Sequence, residues 1–223
     1  MSLTIETQSI GDITILSCNG HIVEGDESSA LTRTVDKLLP LQPYVVLDLR
    51  GVSYIDSAGV GLMLRLRTLA QNAAGDVKIC ASPRVREVLR ITKLDGVLRP
   101  YDSDEEAIAA FYSPTDAPQD RPSLEVDVVF VHPSSDVLAY GSALLKRAGY
   151  GVTTASNVSD ARVLVRATQP KVVVITPDLH ARLIDLGGNV VAETQVLLLP
   201  DDFSHEDPGD SARQLLDDLS RFC

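Results

Sequence analysis

Short β-branched runs alternate with amphipathic segments along most of this chain, and the alternation predicts an α/β protein. In the first half, strands are predicted at Leu3–Thr7, Ile13–Cys18, Tyr44–Leu49 and Val77–Cys80. Gly11-Asp12 separates the first two, which predicts a hairpin and an antiparallel start to the sheet. Apolar positions at helical spacing predict helices at 25–39, Ser57–Ala73, Pro83–Thr92 and Ser103–Phe111.

The second half repeats this order of elements. Buried strands are predicted at Val126–Val131, Val152–Ala155, Val172–Ile175 and Gln195–Leu199. Helices are predicted near Ser135–Ala148, Ser159–Thr168 and Ser211–Phe222. Because apolar β-branched strands of this kind need helical crossovers, an open and mostly parallel sheet is expected.

Between the two halves lies a segment that cannot contribute to a core. Residues 113–123 read SPTDAPQDRPS, with three prolines and few apolar side chains. Such a stretch is typical of an exposed, extended linker. The sequence therefore predicts a first domain at 1–112, a linker at 113–124 and a second domain at 125–223.

Charge and composition narrow the range of partners and cofactors. Thirty-one acidic against 20 basic residues give a formal net charge of −11, which repels nucleic acid and anionic membrane surfaces. No apolar run reaches the roughly 20 residues that span a bilayer, so a cytoplasmic protein is expected. Three widely spaced cysteines and four scattered histidines follow no metal-ligand spacing, and we expect no metal and no cofactor.

The stretch 45–66, VVLDLRGVSYIDSAGVGLMLRL, is the most informative in the chain. A buried strand leads through a short turn into a helix that begins at Asp56-Ser57. The first amides of a helix lack partners and its dipole favours negative charge, so a phosphate on Ser57 is well placed there. Gly59 and Gly61 are interpreted as keeping the approach open for a docking protein. The alternative is that Asp56 or Ser57 only caps the helix.

The first half resembles the STAS domains of bacterial anti-sigma factor antagonists. Their aliphatic-Asp-Leu strand end is similar to Val46–Leu49, and their [FY]-[IM]-D-S-[ST]-G-[LV]-G pattern is similar to Tyr54–Gly61, with Ala58 at the usual serine or threonine position. The segment 75–95, GDVKICASPRVREVLRITKLD, and the helix start at 102–107 resemble later parts of the family. The order and spacing of these segments carry the resemblance.

This resemblance implies a regulatory binding protein. In the family, the serine after the aspartate is phosphorylated by a kinase that is also an anti-sigma factor, and a phosphatase removes the phosphate. The resemblance thus implies phosphorylation at Ser57 and partner switching in transcription regulation. It implies a partner-binding surface at Asp56, Ser57, Ala58, Gly59, Val60 and Gly61.

Residues 126–178 resemble a response-regulator receiver that lacks the receiver's chemistry. A working receiver needs acids that hold magnesium after its first strand, an aspartate that ends the third strand, and a Ser or Thr that ends the fourth. This chain has His132-Pro133, Thr176 and Pro200 at those places, and no lysine follows Lys171. Asp178 and Asp201-Asp202 are interpreted as solvated loop acids. We expect a flavodoxin-like pseudo-receiver that lacks part of the usual sheet.

Four kinds of function are compared, and one of them, a true aspartyl-phosphate receiver, is opposed by the missing acids. A phosphorylatable anti-sigma factor antagonist is favoured, and the alternative is a non-phosphorylated STAS scaffold or dimerisation protein in a signalling complex. An enzyme is not expected, since no nucleophile elbow, phosphate-binding loop or dinucleotide fingerprint occurs. Whether the chain forms a homodimer is left open.

Overall fold

The structure, a computed structural model, describes residues 3–113, 125–185, 194–200, 203 and 209–222. It divides into two compact units, Met1–Phe111 and Tyr112–Cys223. From 114 on, the predicted linker lies outside the described residues, as do Asp201-Asp202. Within the described parts, no helix is both long and apolar enough to cross a membrane.

The first unit contains a five-stranded mixed sheet in the order β1-β2-β3-β4-β5. The strands are β1 (Thr4–Ile10), β2 (Ile13–Ile22), β3 (Tyr44–Ile55), β4 (Asp76–Ala81) and β5 (Pro100–Tyr101). β1 and β2 form the predicted antiparallel hairpin, whose turn places Gly11 at φ 59°, a left-handed conformation that glycine adopts without strain. The other pairs are parallel. The predicted mixed α/β architecture is confirmed for this unit.

Four helices accompany this sheet, namely α1 (Asp26–Leu38), α2 (Ser57–Asn72), α3 (Pro83–Ile91) and α4 (Asp104–Tyr112). Each had been predicted close to its observed bounds. The start of α3 is fixed by Ser82, whose side chain accepts a hydrogen bond from the Val85 amide at 3.3 Å, and by Pro83 in the first turn.

The two faces of this sheet are covered differently. One face packs into a core with side chains from α1, α2 and α3, among them Leu31, Met63, Leu66 and Leu89. On the opposite face, the Phe111 ring of α4 lies 5.5 Å from the Tyr44 ring, centroid to centroid, in an edge-on arrangement. The Lys78 ammonium lies 5.5 Å from the centre of the same Phe111 ring. The last helix of the unit therefore closes the second face.

The start of α4 is also tied to the sheet by charge. Arg50 forms a two-pronged contact with Asp48 at 2.8 Å and reaches Asp104 at 2.5 Å. The guanidinium holds the pKa of Asp48 below its usual range, against the effect of partial burial.

The second unit contains a four-stranded parallel sheet in the order β7-β6-β8-β9. Its strands are β6 (Val128–Val131), β7 (Val152–Ala155), β8 (Val172–Ile175) and β9 (Gln195–Leu198). Its helices are α5 (Ser135–Arg147), α6 (Val158–Thr168), α7 (Pro177–Asp185) and α8 (Gly209–Leu219). β6 and β8 are fully buried, as their unbroken Val and Ile runs predict.

Several sequence-based predictions need correction. β3 continues six residues past Leu49, and β5 and α7 were not predicted. The prediction that the fourth strand of the second unit is buried is wrong, because β9 is an edge strand in which Leu198 is 47% exposed. An edge strand has a neighbour on one side only, so apolar composition alone does not bury it.

Candidate functional site

The candidate site is built where β3 ends and α2 begins. β3 pairs with β4 only as far as Leu49, whereas its pairing with β2 continues to Ile55. The end of β3 therefore projects beyond β4. The turn that follows, at Asp56, is placed next to the end of β2.

Asp56 is the N-cap of α2 and links three segments. Its Oδ1 accepts a hydrogen bond from the Gly59 amide at 2.8 Å, and its Oδ2 accepts one from the Glu24 amide at 3.1 Å. Its own amide donates to the carbonyl of Ile22 at 3.2 Å. The hydrogen bonds from Gly59 and then Glu24 lower the pKa of the Asp56 carboxyl, because they favour its charged form.

Ser57 is the first residue of α2, and its side chain is exposed. Its hydroxyl forms no hydrogen bond with any residue that the structure describes. Because Asp56 already caps the helix, this hydroxyl has no capping role.

The other predicted surface residues are not all at the surface. Ala58 is half-buried and Gly61 is exposed, but Gly59 and Val60 are buried. A Cβ on Gly59 would lie 2.7 Å from the Ile22 carbonyl oxygen. The interpretation that Gly59 keeps the surface open is therefore wrong, since this glycine allows α2 to pack against the end of β2. At Gly61 a Cβ would meet nothing within 4 Å, which fits the open approach that was predicted there.

Neighbouring residues that the sequence did not single out also shape this surface. The rings of His21 and Tyr54 meet edge to face with their centroids 5.8 Å apart, and Tyr54 is 48% exposed. Glu24 and Asp26 are exposed, and Asp26 lies in the first turn of α1. The segments on either side of the Asp56 turn thus carry an aromatic pair and exposed acidic side chains.

Metal binding and thiol chemistry are not supported by the described residues. In the described parts of the chain, no group of three or more His, Cys, Asp or Glu side chains is arranged to hold a metal ion. Cys18 and Cys80 are buried, and burial raises the pKa of each thiol to about 12. Neither thiol is therefore a nucleophile at neutral pH.

The equivalent edge of the second sheet is arranged differently. His132 follows β6 and is half-buried, and its Nδ1 accepts a hydrogen bond from the Ser134 amide at 3.0 Å. Burial lowers the pKa of this imidazole. Thr176 follows β8, and Asp178 lies in the first turn of α7. His132 and Thr176 thus lie at the carboxyl ends of parallel strands.

A mixed sheet with helices, an aspartate cap and an exposed serine at the start of α2 define a STAS-like fold in the first unit. Consistent with this geometry, a protein-family model described as the STAS domain matches residues 4–107. Residues 108–223 lie outside the region that this family model matches.

Solved structures similar to this chain include three that each cover about half of it. One is an anti-sigma factor antagonist from Mycobacterium paratuberculosis, with 22% identity, 49% of this chain and 93% of that chain covered, and a TM-score of 0.45. A putative anti-sigma factor antagonist from Thermotoga maritima shows 24% identity, coverages of 47% and 91%, and a TM-score of 0.42. The Bacillus cell fate determinant SpoIIAA in its phosphorylated form shows 19% identity, coverages of 48% and 96%, and a TM-score of 0.39.

Proposed function

We propose that the first unit is a regulatory binding module, an anti-sigma factor antagonist that exchanges partners under the control of phosphorylation at Ser57. The observation that carries this proposal is the difference between Asp56 and Ser57 at the start of α2. Asp56 makes the capping hydrogen bond, whereas the adjacent Ser57 hydroxyl is exposed and makes no hydrogen bond to a described residue. A kinase can modify such a hydroxyl without removing a contact that the fold needs.

The local electrostatics make phosphorylation an effective signal. A phosphate adds about −1.5 to −2 charge units at neutral pH. The positive end of the α2 helix dipole favours that charge, whereas Asp56 and the exposed Glu24 oppose it. The modification would change the charge of the docking surface strongly and the stability of the unit only slightly.

Under this proposal, the protein supplies a substrate hydroxyl and a surface but no catalysis. A serine kinase that is also an anti-sigma factor would provide ATP and magnesium, and a phosphatase would reverse the reaction. The exposed Tyr54 beside Ser57 is a suitable contact for such a partner, because tyrosine combines apolar area with a polar end.

For the second unit we propose a pseudo-receiver that does not accept phosphate. The order β7-β6-β8-β9 is the order of the first four strands in a flavodoxin-like sheet. His132, Thr176 and Pro200 stand at positions where a receiver needs acids and a hydroxyl. A regulatory role without phosphoryl chemistry fits this substitution pattern.

The kinase assay that tests Ser57 uses three forms of the full chain, namely wild type, Ser57→Ala and Ser53→Ala. Ser53 is the matched control, since it is an exposed serine four residues earlier whose hydroxyl donates to the Gly20 carbonyl at 3.3 Å. The protein is first purified from its native cell and its phosphopeptides and co-purifying proteins are identified by mass spectrometry. A co-purifying kinase is then incubated with the three forms.

We expect phosphate on Ser57 in the wild type and in Ser53→Ala, and none in Ser57→Ala. An active co-purifying kinase that leaves Ser57 unmodified, or that modifies all three forms equally, would contradict the proposal. The non-phosphorylated scaffold would then be the better description.

A further inference from the structure

A groove of about 220 Å³ lies between α1 and α2, and Ala58, the residue after Ser57, is among those that line it. α1 contributes three hydroxyl side chains to it, and α2 contributes two small residues, a leucine and an arginine. The lining residues are Ser28, Ser29, Thr32, Ala58, Gly61, Leu62 and Arg65. The walls thus combine polar and apolar side chains, with one cation among them.

Gly61 keeps this groove open. A Cβ at Gly61 would meet no atom within 4 Å, so the helix packing does not require a glycine there. This contrasts with Gly59, where a Cβ would press on the Ile22 carbonyl. A larger side chain at Gly61 would occupy the groove and leave the core untouched.

Ser57, Gly61 and Arg65 are spaced four residues apart and share one side of α2. Neighbours at this spacing have Cβ positions about 5–6 Å apart. Long side chains on helices also lean toward the helix N-terminus, which directs Arg65 along the groove toward Gly61. A group bound by Arg65 therefore lies along the line that leads to Ser57.

Arg65 is an exposed cation on α2. It forms no ion pair or hydrogen bond with any described residue. The next arginine, Arg67, differs, because it donates to the Val97 carbonyl and lies 3.5 Å from Asp76. Across the groove, the exposed Ser29 hydroxyl is also unbonded within the described structure. A guanidinium and a hydroxyl that face one groove form a good binding site for a carboxylate.

We propose that this groove binds an acidic side chain of the partner protein, with Arg65 as the charged contact and Ser29 as a second donor. The proposal rests on the proposed function and names the chemistry of the partner at that site. It also links the groove to the switch, because a phosphate on Ser57, one turn from Gly61, would repel the bound carboxylate. Phosphorylation would thereby weaken the complex without any change of fold.

The test uses a random peptide library displayed on phage and selected on the full, unphosphorylated chain. Selections run in parallel on wild type, Arg65→Gln and Arg33→Gln. Arg33 is the matched control, since it is an exposed arginine on α1 that has no partner among the described residues and does not line the groove. We expect Asp- or Glu-containing peptides to be enriched on wild type and on Arg33→Gln, and not on Arg65→Gln.

Calorimetry with one enriched peptide then forms a double-mutant cycle. Arg65→Gln and the peptide's own acid-to-amide change should each weaken binding about tenfold or more, and together cost little beyond either alone. Gly61→Leu should also abolish binding by filling the groove, and thermal melting should show that each variant is folded.

Selected peptides without carboxylates, or a library that yields nothing bound better by wild type than by Arg65→Gln, would overturn the proposal. No kinase enters this experiment, so its failure is distinct from a failure to phosphorylate Ser57. Likewise, an unmodified Ser57 in the kinase assay would leave a positive peptide result standing.

Discussion

The two units turn from strand to helix in the same way but leave different groups exposed. In the first unit, β3 leads through Asp56 into α2, and the cap leaves the Ser57 hydroxyl exposed and without a hydrogen-bond partner in the described part of the chain. In the second unit, β6 leads through His132 into α5, and the imidazole is half-buried and bonded to the Ser134 amide. A similar architecture thus presents an exposed hydroxyl in one unit and uses its polar group internally in the other.

The next turn of the second unit repeats this internal use. Asn157 caps α6 by accepting a hydrogen bond from the Asp160 amide at 2.9 Å, and its amide donates to the Asp160 carboxylate at 2.8 Å. The Asp160 carboxylate is mostly buried rather than presented to solvent. The comparison teaches that the fold places polar residues at the carboxyl ends of the strands. Local hydrogen bonds then decide whether their polar atoms stay free to contact another molecule.

The largest effect is expected from glycines that allow helices to pack closely in both units. Gly59→Ala should destabilise the first unit by about 1–3 kcal/mol, because the new Cβ meets the fixed Ile22 carbonyl. Gly61→Ala, on the same helix, should stabilise it by up to about 1 kcal/mol. Gly141→Ala should destabilise the second unit by a similar amount, since its Cβ would lie 2.6 Å from the ring of Phe130, which is fully buried. Denaturant unfolding, monitored by hydrogen exchange, gives the free energy of unfolding of each unit. Equal changes in this free energy for Gly59→Ala and Gly61→Ala would refute the packing argument.

A second experiment places the same charge at the two helix starts. Ser57→Asp should weaken binding of the partner by more than about tenfold, or about 1.4 kcal/mol, while Ser57→Ala should largely preserve it. Ser135 is the matched position, because it is the exposed first residue of α5. Ser135→Asp should leave the affinity unchanged. Calorimetry and melting curves check this, and equal affinities for Ser57→Asp and Ser135→Asp would remove the distinction between the two turns.

Acid should act in opposite directions on the two capping regions. The pKa of Asp56 is lowered in the fold, so its stabilising contribution is complete above the ordinary aspartate pKa, near 3.9, and is lost as the pH falls through the folded value. Burial raises the pKa of Asp160, so the fold gains stability as the pH falls through that raised value.

Opening free energies from hydrogen exchange in α2 and α6, measured between neutral pH and about pH 3, would show these two slopes. Asp56→Asn should flatten the first slope, and Asp160→Asn should flatten the second. Slopes of the same sign in the two helices would contradict the assignment.

The smallest expected effect is none at all. We expect that magnesium does not raise the melting temperature of the second unit and that acetyl phosphate does not modify it, because His132 and Thr176 replace the acids that a receiver uses. Mass spectrometry after incubation with acetyl phosphate provides the check. An acid-labile phosphoryl group on Asp178 would end the pseudo-receiver interpretation and make the two units chemically alike.

Much of the fold could be predicted because local signals agreed with the tertiary structure. The start of α2 at Ser57 and the buried strands β6 and β8 follow from a cap and from unbroken β-branched runs. The extension of β3 to Ile55 was missed because Arg50, Gly51 and Ser53 interrupt its apolar pattern and only β2 pairs with it there. α7 was missed because its helix signal is short.

The candidate site was predictable only in part. Ser57 stood out by its position after Asp56, and Gly59 could have been placed inside, since it continues the buried stripe of Leu62, Met63 and Leu66 on α2. The groove at Arg65 could not be predicted, because it depends on the separation of α1 and α2. The exposure of Tyr54 likewise depends on how far β3 projects beyond β4.

The position of α4 at the end of the first unit also bears on how the chain folds as it is made. Apolar side chains such as those of Ile15 and Val46 are buried on the sheet face that Phe111 covers. The helix that covers this face is nevertheless the last part of the unit to be synthesised. Until α4 emerges from the ribosome, this face is open to unwanted association. Translation proceeds at about 5–20 residues per second, so a hundred further residues take roughly 5–20 seconds to follow the finished first unit. In that time α4 can cover the open face, before the second sheet is present to compete for its exposed strands.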